Sequence, residues 1–217
     1  MLSLLPARSV DQGMDYVVSL VEVNLASRLA DGTIRAYQQA LTLHLMPINL
    51  IGVAISNAAF PQLTERLGEG RLDLFQKDLR SLLRIIFWMA LPTSVVIFFT
   101  RGYIVHFIRN TGDQLMAGIL GCLVVAILFR TIYHMAARAF YARQDTKTPL
   151  YISVFSISLN IALAIILTMN LNMGAYGLAW AQSTVAVFEV VILLLVMSKQ
   201  MPRMFNRAFV TAIGKMI

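Results

Sequence analysis

An all-helical bundle embedded in a membrane is the fold class that this sequence predicts. Three observations carry the prediction. Of 217 residues, 58% are hydrophobic and only 13% are charged, about half the charged share of a soluble domain, and mean hydropathy is +0.71. Apolar runs long enough to cross a bilayer recur along the whole chain. The period-two alternation of a membrane barrel is absent. Helices follow, because in lipid every backbone polar group needs a partner within its own segment. Modest Gly and Pro counts (12 and 6) with 12 Met fit helices better than strands.

Six spans are expected, at about 11–30, 36–63, 82–100, 115–140, 150–169 and 175–198. The first, DQGMDYVVSLVEVNLASRLA, is a poor span by hydropathy alone. The second contains Pro47 and Pro61, and Pro47 removes a backbone donor, so the helix should kink or loosen near Leu43. The third contains Pro92. Between spans two and three, RLDLFQKDLRSLLRII puts Leu72, Phe75, Leu79, Leu82 and Ile86 on one helical face with charges opposite. That pattern fits either an interfacial amphipathic helix or a loop helix packed on the bundle. Residues 201–217 read as a cytoplasmic segment or the start of a further span, so the six-helix unit occupies 1–200.

Orientation follows from the basic residues. If the first span starts inside, thirteen of the 18 Lys and Arg fall on the inside, among them Arg66, Arg71, Lys77, Arg80 and Arg84. Only Arg28, Arg35, Arg101 and Arg109 fall outside, and Arg130 lies within span four. Both ends therefore face the cytoplasm. The net charge of +7 is accounted for by these loops, and nucleic acid is not an expected partner. The N-terminal stretch MLSLLPARSVDQGMDY has neither a basic leader nor a clean apolar core, so no signal peptide is expected. Cys122, the single cysteine, sits in an apolar run with no metal-ligand cluster around it. No phosphate loop, nucleophile motif or metal-ligand spacing occurs, so an enzyme is not expected.

The candidate functional residues are polar groups at membrane depth, where they are costly and face protein or a water-filled cavity. In span one, Gln12, Asp15, Ser19 and Glu22 share a helix face. They form either a cavity wall with a cation or proton site, or a polar packing seam. In span two, Gln38, Thr42, Asn49, Gly52 and Ser56 share a face, interrupted by Leu45. They line a cavity or form a small-residue seam. Glu189 lies deep in span six, and Arg130 is its most obvious opposite charge. Asn160, with Ser156 a turn earlier, either joins a site or bonds a neighbouring helix. His44 and His134 fit a proton relay or a structural role. The connector RAFYARQDTKTP carries Arg138, Arg143, Asp145 and Lys147, with Pro149 in the first turn of span five. It is a cytoplasmic topology anchor or a hinge.

The stretch DGTIRAYQQALTLHLMPINLIGVAISNAAFPQLTE together with RAFYARQDTKTP resembles the MurJ/MviN family of lipid II flippases, within the multidrug/oligosaccharidyl-lipid/polysaccharide exporter superfamily. GAYGLAWAQS, at 174–183, resembles the Gly-Leu-Ala opening of a late helix in that family. The resemblance covers nearly the whole chain but only part of the family's length. It implies one lobe of a two-lobe transporter, spans seven to twelve of about fourteen, in a bacterial plasma membrane. The first lobe is then expected in the same chain or a partner chain. The implied function is alternating-access flipping of a lipid-linked peptidoglycan precursor. The alternatives are export of another polysaccharide lipid or of drugs, or a non-transporting subunit or degenerate fragment. The resemblance also implies site residues. Glu22, before Ala26-Ser27, matches an acid that in some members joins polar residues of spans eleven and twelve in a sodium site, and Asn160 and Gln182 fall near those places. Asp15, Glu22, Asn160 and Gln182 are thus candidates for coupling to Na+ or H+. Gln38, Thr42, Asn49, Arg130 and Glu189 are candidates for lining the cavity. Two positions depart from the family pattern. Thr42 stands where many members have an arginine, and Glu189 where they often have a neutral polar residue.

Overall fold

A computed structural model describes residues 18, 20–27, 29, 32–109 and 113–201. Residues 20–27 form the described part of α1. Five long helices follow: α2 (Thr33–Gly68), α3 (Leu72–Arg109), α4 (Gln114–Ala142), α5 (Lys147–Asn170) and α6 (Ala175–Gln200). Each is long and apolar enough to span a bilayer. They correspond to expected spans two to six, with α2, α4, α5 and α6 extended by a few residues and α3 reaching well beyond its expected span at both ends. Most of the first expected span, including Gln12, Asp15 and Ser19, lies outside the described residues, as does 202–217.

The ends of the helices follow from local chemistry. Asp113 caps α4, its side chain accepting from the Met116 N–H at 3.1 Å. Gly70, at φ 72°, ends α2, and the Arg71 N–H closes on the Arg66 carbonyl at 3.0 Å. Gln144 does the same for α4 at φ 60°, with the Asp145 N–H on the Phe140 carbonyl at 3.0 Å.

Helix α4 is the hub, packing against α2, α3, α5 and α6. Its last third carries Ala136, Ala137, Ala139 and Ala142, all buried, and small side chains let helices approach where lipid gives no hydrophobic drive. Two apolar clusters result. One joins Leu63, Phe75, Leu79, Ile86, Phe140 and Met197 at the α2–α3 turn end. The other joins Tyr37, Val105, Met116, Leu120, Ala164 and Leu178 at the opposite end. Buried His44, Ser56, Thr131, Ser156, Asn160, Gln182, Ser183 and Glu189 lie in sequence between the segments that build these clusters. The lobe is thus a polar layer between two apolar ones.

Three readings of the sequence are refined. The amphipathic stretch after Arg71 is not a separate interfacial helix. It is the first half of the 38-residue α3, about 57 Å long at 1.5 Å per residue and well beyond the roughly 30 Å of a bilayer core. Phe75, Leu79, Leu83 and Ile86 are buried against the bundle, while Leu72 is exposed. Arg66 and Gln62 of α2 hold this half through Asp78, at 3.5 and 3.1 Å. Second, the loosening expected near Leu43 lies after Pro47 instead. The helix widens into a π segment over Ile48–Val53 directly after it. Third, that widening corrects the expected single polar face of α2. More residues per turn delay the rotation, so the stripe divides. Gln38, Thr42 and Asn49 are exposed, whereas Gly52 and Ser56 turn inward. A Cβ on Gly52 would lie 3.0 Å from both the Thr131 Cα and its carbonyl oxygen, so α2 and α4 are in backbone contact here.

A second close approach joins α6 to the π-helical end of α5, Ile166–Asn170. A Cβ on Gly177 would meet the Leu167 carbonyl carbon at 2.8 Å and the Thr168 nitrogen at 2.9 Å. Gly177→Ala is expected to destabilise the protein by about 1–3 kcal/mol, read as a lower Tm in detergent. Gly102→Ala, whose methyl group would meet nothing within 4 Å, should leave Tm unchanged or slightly raised.

Candidate functional site

Glu22 of α1 is buried, 3% exposed, and both of its carboxylate oxygens are engaged. The Tyr37 hydroxyl of α2 donates to Oε2 at 2.9 Å. The Gln182 amide nitrogen of α6 donates to Oε1 at 2.8 Å. Gln182 is oriented in turn by α4, where Arg130 Nη2 donates to its Oε1 at 2.9 Å. Four helices therefore meet in one chain of polar contacts, Tyr37–Glu22–Gln182–Arg130. A carboxylate deprived of water is stabilised by such donors and by a nearby cation. Arg130 supplies that cation through the amide that bridges them.

The arrangement joins residues that the sequence reading had separated. Arg130 belonged to the expected cavity-lining group and Glu22 and Gln182 to the coupling group, yet they form one unit. Tyr37 was missed. Nothing in a lone Tyr at the start of a span marks it, and the signal is tertiary, fifteen residues from Glu22 across the α1–α2 turn. Asn160, the other coupling candidate, is buried on α5 with no hydrogen-bond partner for its Oδ1 among the described residues. None of the bonds above reaches it. Asp15 lies outside the described residues. Glu189 is buried on α6, two turns beyond Gln182. His44 is buried below Tyr37, its Nδ1 2.7 Å from the Leu41 carbonyl oxygen, while its Nε2 and the Arg130 Nε have no partner among the described residues.

Gln38, Thr42 and Asn49 are exposed on the outward side of α2, with the Thr42 hydroxyl donating to the Gln38 carbonyl at 2.9 Å. Gln38 also lines an open cleft of about 340 Å³ at the α1–α2 turn, with Ser27, Gly32 and Arg35.

The connector residues hold the opposite end of the lobe. The Arg138 guanidinium lies 5.6 Å from the Phe60 ring centroid. Arg143 donates to the Gln200 side chain, tying the connector to the end of α6. Lys147 is exposed, and Pro149 is buried in the first turn of α5. Asp145 caps α5, accepting from the Thr148 N–H at 3.1 Å and hydroxyl at 2.7 Å. Burial works against the Asp145 charge, but the bonds from Thr148, Gln200 and the Lys147 backbone outweigh it and hold the carboxyl below its ordinary range.

Comparison with known proteins decides the family. A family model described as Lipid II flippase MurJ matches residues 2–217. The chain belongs to the MurJ family. A probable lipid II flippase MurJ of Thermotoga maritima is 27% identical over 176 residues, covering 78% of this chain and 36% of that protein. The corresponding protein of Borreliella burgdorferi is 24% identical over 194 residues, covering 86% and 38%. The chain thus spans between a third and two-fifths of the length of these curated relatives. Among solved structures, a lipid II flippase MurJ in an inward closed conformation superposes with a TM-score of 0.78 at 24% identity, over 87% of this chain and 41% of that one. An outward-facing multidrug resistance MATE transporter of the MOP superfamily reaches 0.81 at 13% identity, over 93% and 47%. The fold is accordingly that of one lobe of these solved membrane proteins.

Two predictions follow from this geometry. Tyr37→Phe is expected to cost about 1.5–3 kcal/mol, the range for a hydrogen bond to a charged group, and Gln182→Leu roughly twice that, because it strands Glu22 and Arg130 together. Thermal unfolding of the purified variants checks the order. The depressed Asp145 carboxyl stabilises the fold at neutral pH, above its unfolded value of about 3.9, and this contribution is lost as pH falls through the lower folded value. Asp145→Ala should therefore lower Tm at pH 7 and flatten its fall on the acid side, measured as Tm against pH.

Proposed function

We propose that this chain is the second, six-helix lobe of a flippase that carries lipid II, a lipid-linked peptidoglycan precursor, across the bacterial plasma membrane during cell-wall synthesis. The observation that carries the reading is the family match across residues 2–217. The first lobe is supplied by the same chain or a partner chain. The two lobes rock about a shared cavity in alternating access. The exposed polar residues of α2, Gln38, Thr42 and Asn49, suit the wall of that cavity, where the polar headgroup passes while its lipid tail stays in the bilayer. Arg130 and Glu189 act from the polar layer behind it. Both ends of the chain face the cytoplasm, supported by the excess of Lys and Arg on that side. The connector with Arg138, Arg143, Asp145, Lys147 and Pro149 is then a cytoplasmic anchor about which α4 and α5 hinge. Coupling to Na+ or H+ would act through Glu22, supported by Gln182 and by Asp15 and Asn160.

The test is translocation of labelled lipid II in proteoliposomes holding the full-length protein, with the Gln182→Leu variant beside it. Lipid II is expected to cross with the wild type and at least tenfold more slowly with the variant, a loss of about 1.4 kcal/mol or more in barrier terms. A wild type that moves drugs or another polysaccharide lipid, with no competition from lipid II, would sink the reading in favour of another exporter of the superfamily. A wild type that moves none of these would leave a non-transporting subunit.

A further inference from the structure

We infer that Arg130 sets the ionic selectivity of the Glu22 site: by fixing which way the Gln182 amide points, it makes the site a cradle of hydrogen-bond donors closed to Na+. Guanidinium has five N–H donors and no acceptor. The Gln182 atom 2.9 Å from Arg130 Nη2 is therefore its oxygen. The amide is planar, so its NH2 group faces the other way, onto Glu22 Oε1 at 2.8 Å. The Tyr37 hydroxyl directs its hydrogen at Oε2. Each neighbour named here thus presents a hydrogen to Glu22. A hard cation is held by the lone pairs of several oxygens, which is the opposite polarity. The positive charge of Arg130 adds repulsion, and that repulsion is strong where water is scarce.

The residues that a sodium site at Glu22 would draw on do not fit a bare cation in this arrangement. The polar layer does contain oxygen donors, for Asn160 Oδ1 is buried and unpartnered among the described residues. What turns the bridging amide away is its bond to Arg130. Without that guanidinium, Gln182 is free to rotate and present Oε1 beside the Glu22 carboxylate, with the Tyr37 oxygen as a third ligand. Arg130 thus acts as the built-in counter-ion of Glu22. It is a positioning residue, acting on the site through Gln182.

This deepens the coupling part of the proposed function and rests on it only there. Its test reads ion binding without transport, so the two readings fail separately. The full-length protein is purified with and without Arg130→Met, and Tm is measured in NaCl against choline chloride at equal ionic strength, with radiolabelled Na+ binding in parallel. The wild type should show no Na+-dependent shift. Arg130→Met should gain one of about 5 °C when Na+ is in about hundredfold excess over its Kd, and Glu22→Gln in that background should abolish it. Arg130→Lys, which restores a donor and the charge, should restore insensitivity. If Arg130→Met does not fold, Arg130→Ser replaces it under the same criteria. Saturable Na+ stabilisation of the wild type that Glu22→Gln removes would overturn the inference. So would neutral variants at Arg130 that stay as indifferent to Na+ as the wild type.

Discussion

A carboxylate inside a membrane protein has to be met by donors, and Glu22 is met from two helices directly and a third through an amide. This requirement constrains much of the lobe. Tyr37 has to sit one helix turn into α2, Gln182 two turns into α6, and Arg130 past the middle of α4. A slip of any of these helices by one residue would swing its polar group off the chain and leave a buried polar atom without a partner, a cost of about 1–3 kcal/mol or more when the group is charged. The apolar contacts around the chain are less demanding, since an aliphatic layer tolerates sliding far better than a line of hydrogen bonds does.

The two apolar clusters and the close helix approaches support that register. Gly52 against Thr131, within the polar layer, and Gly177 against Leu167–Thr168, beside the cluster of Tyr37 and Leu178, bring backbones into contact. In lipid, where burying another leucine against leucine gains little, such contacts and the polar bonds between helices supply much of the cohesion. Helix α3 contributes differently. Its second half shows Phe98, Phe99, Tyr103 and Phe107 to the surroundings, as a helix on the rim of a bundle does, while its first half is fastened to α2 by Asp78.

Much of this was legible in the residues. Five long spans, their order and the basic connectors follow from hydropathy and charge, because those depend on composition over about twenty residues and tolerate local error. Glu22, Gln182 and Arg130 could each be singled out, since a polar group in an apolar run announces its own cost. Their union could not. Gln182 lies 160 residues from Glu22 and 52 from Arg130, and periodicity along one helix carries no information about which neighbour it faces. Tyr37 was invisible for a related reason: a tyrosine at a span end is ordinary, and only its partner makes it part of a site. The amphipathic stretch before span three allowed two readings, and the choice between them lay in Leu63, Phe140 and Met197 of other helices, which cover its apolar face.

The π segment of α2 has one further consequence. Thr42 and Ser56 are fourteen residues apart, nearly four full turns, and on a uniform helix they would be two points on one line. Across Ile48–Val53 that line is broken: Thr42 ends exposed and Ser56 buried. Helix α2 therefore has two addresses. Before the π segment its polar stripe, Gln38 and Thr42, faces whatever lies beyond the lobe, and after it the stripe turns with Ser56 into the bundle. Changes at one set of positions report on what passes along the surface, and changes at the other on how the bundle holds together, although a helical wheel would draw them as neighbours.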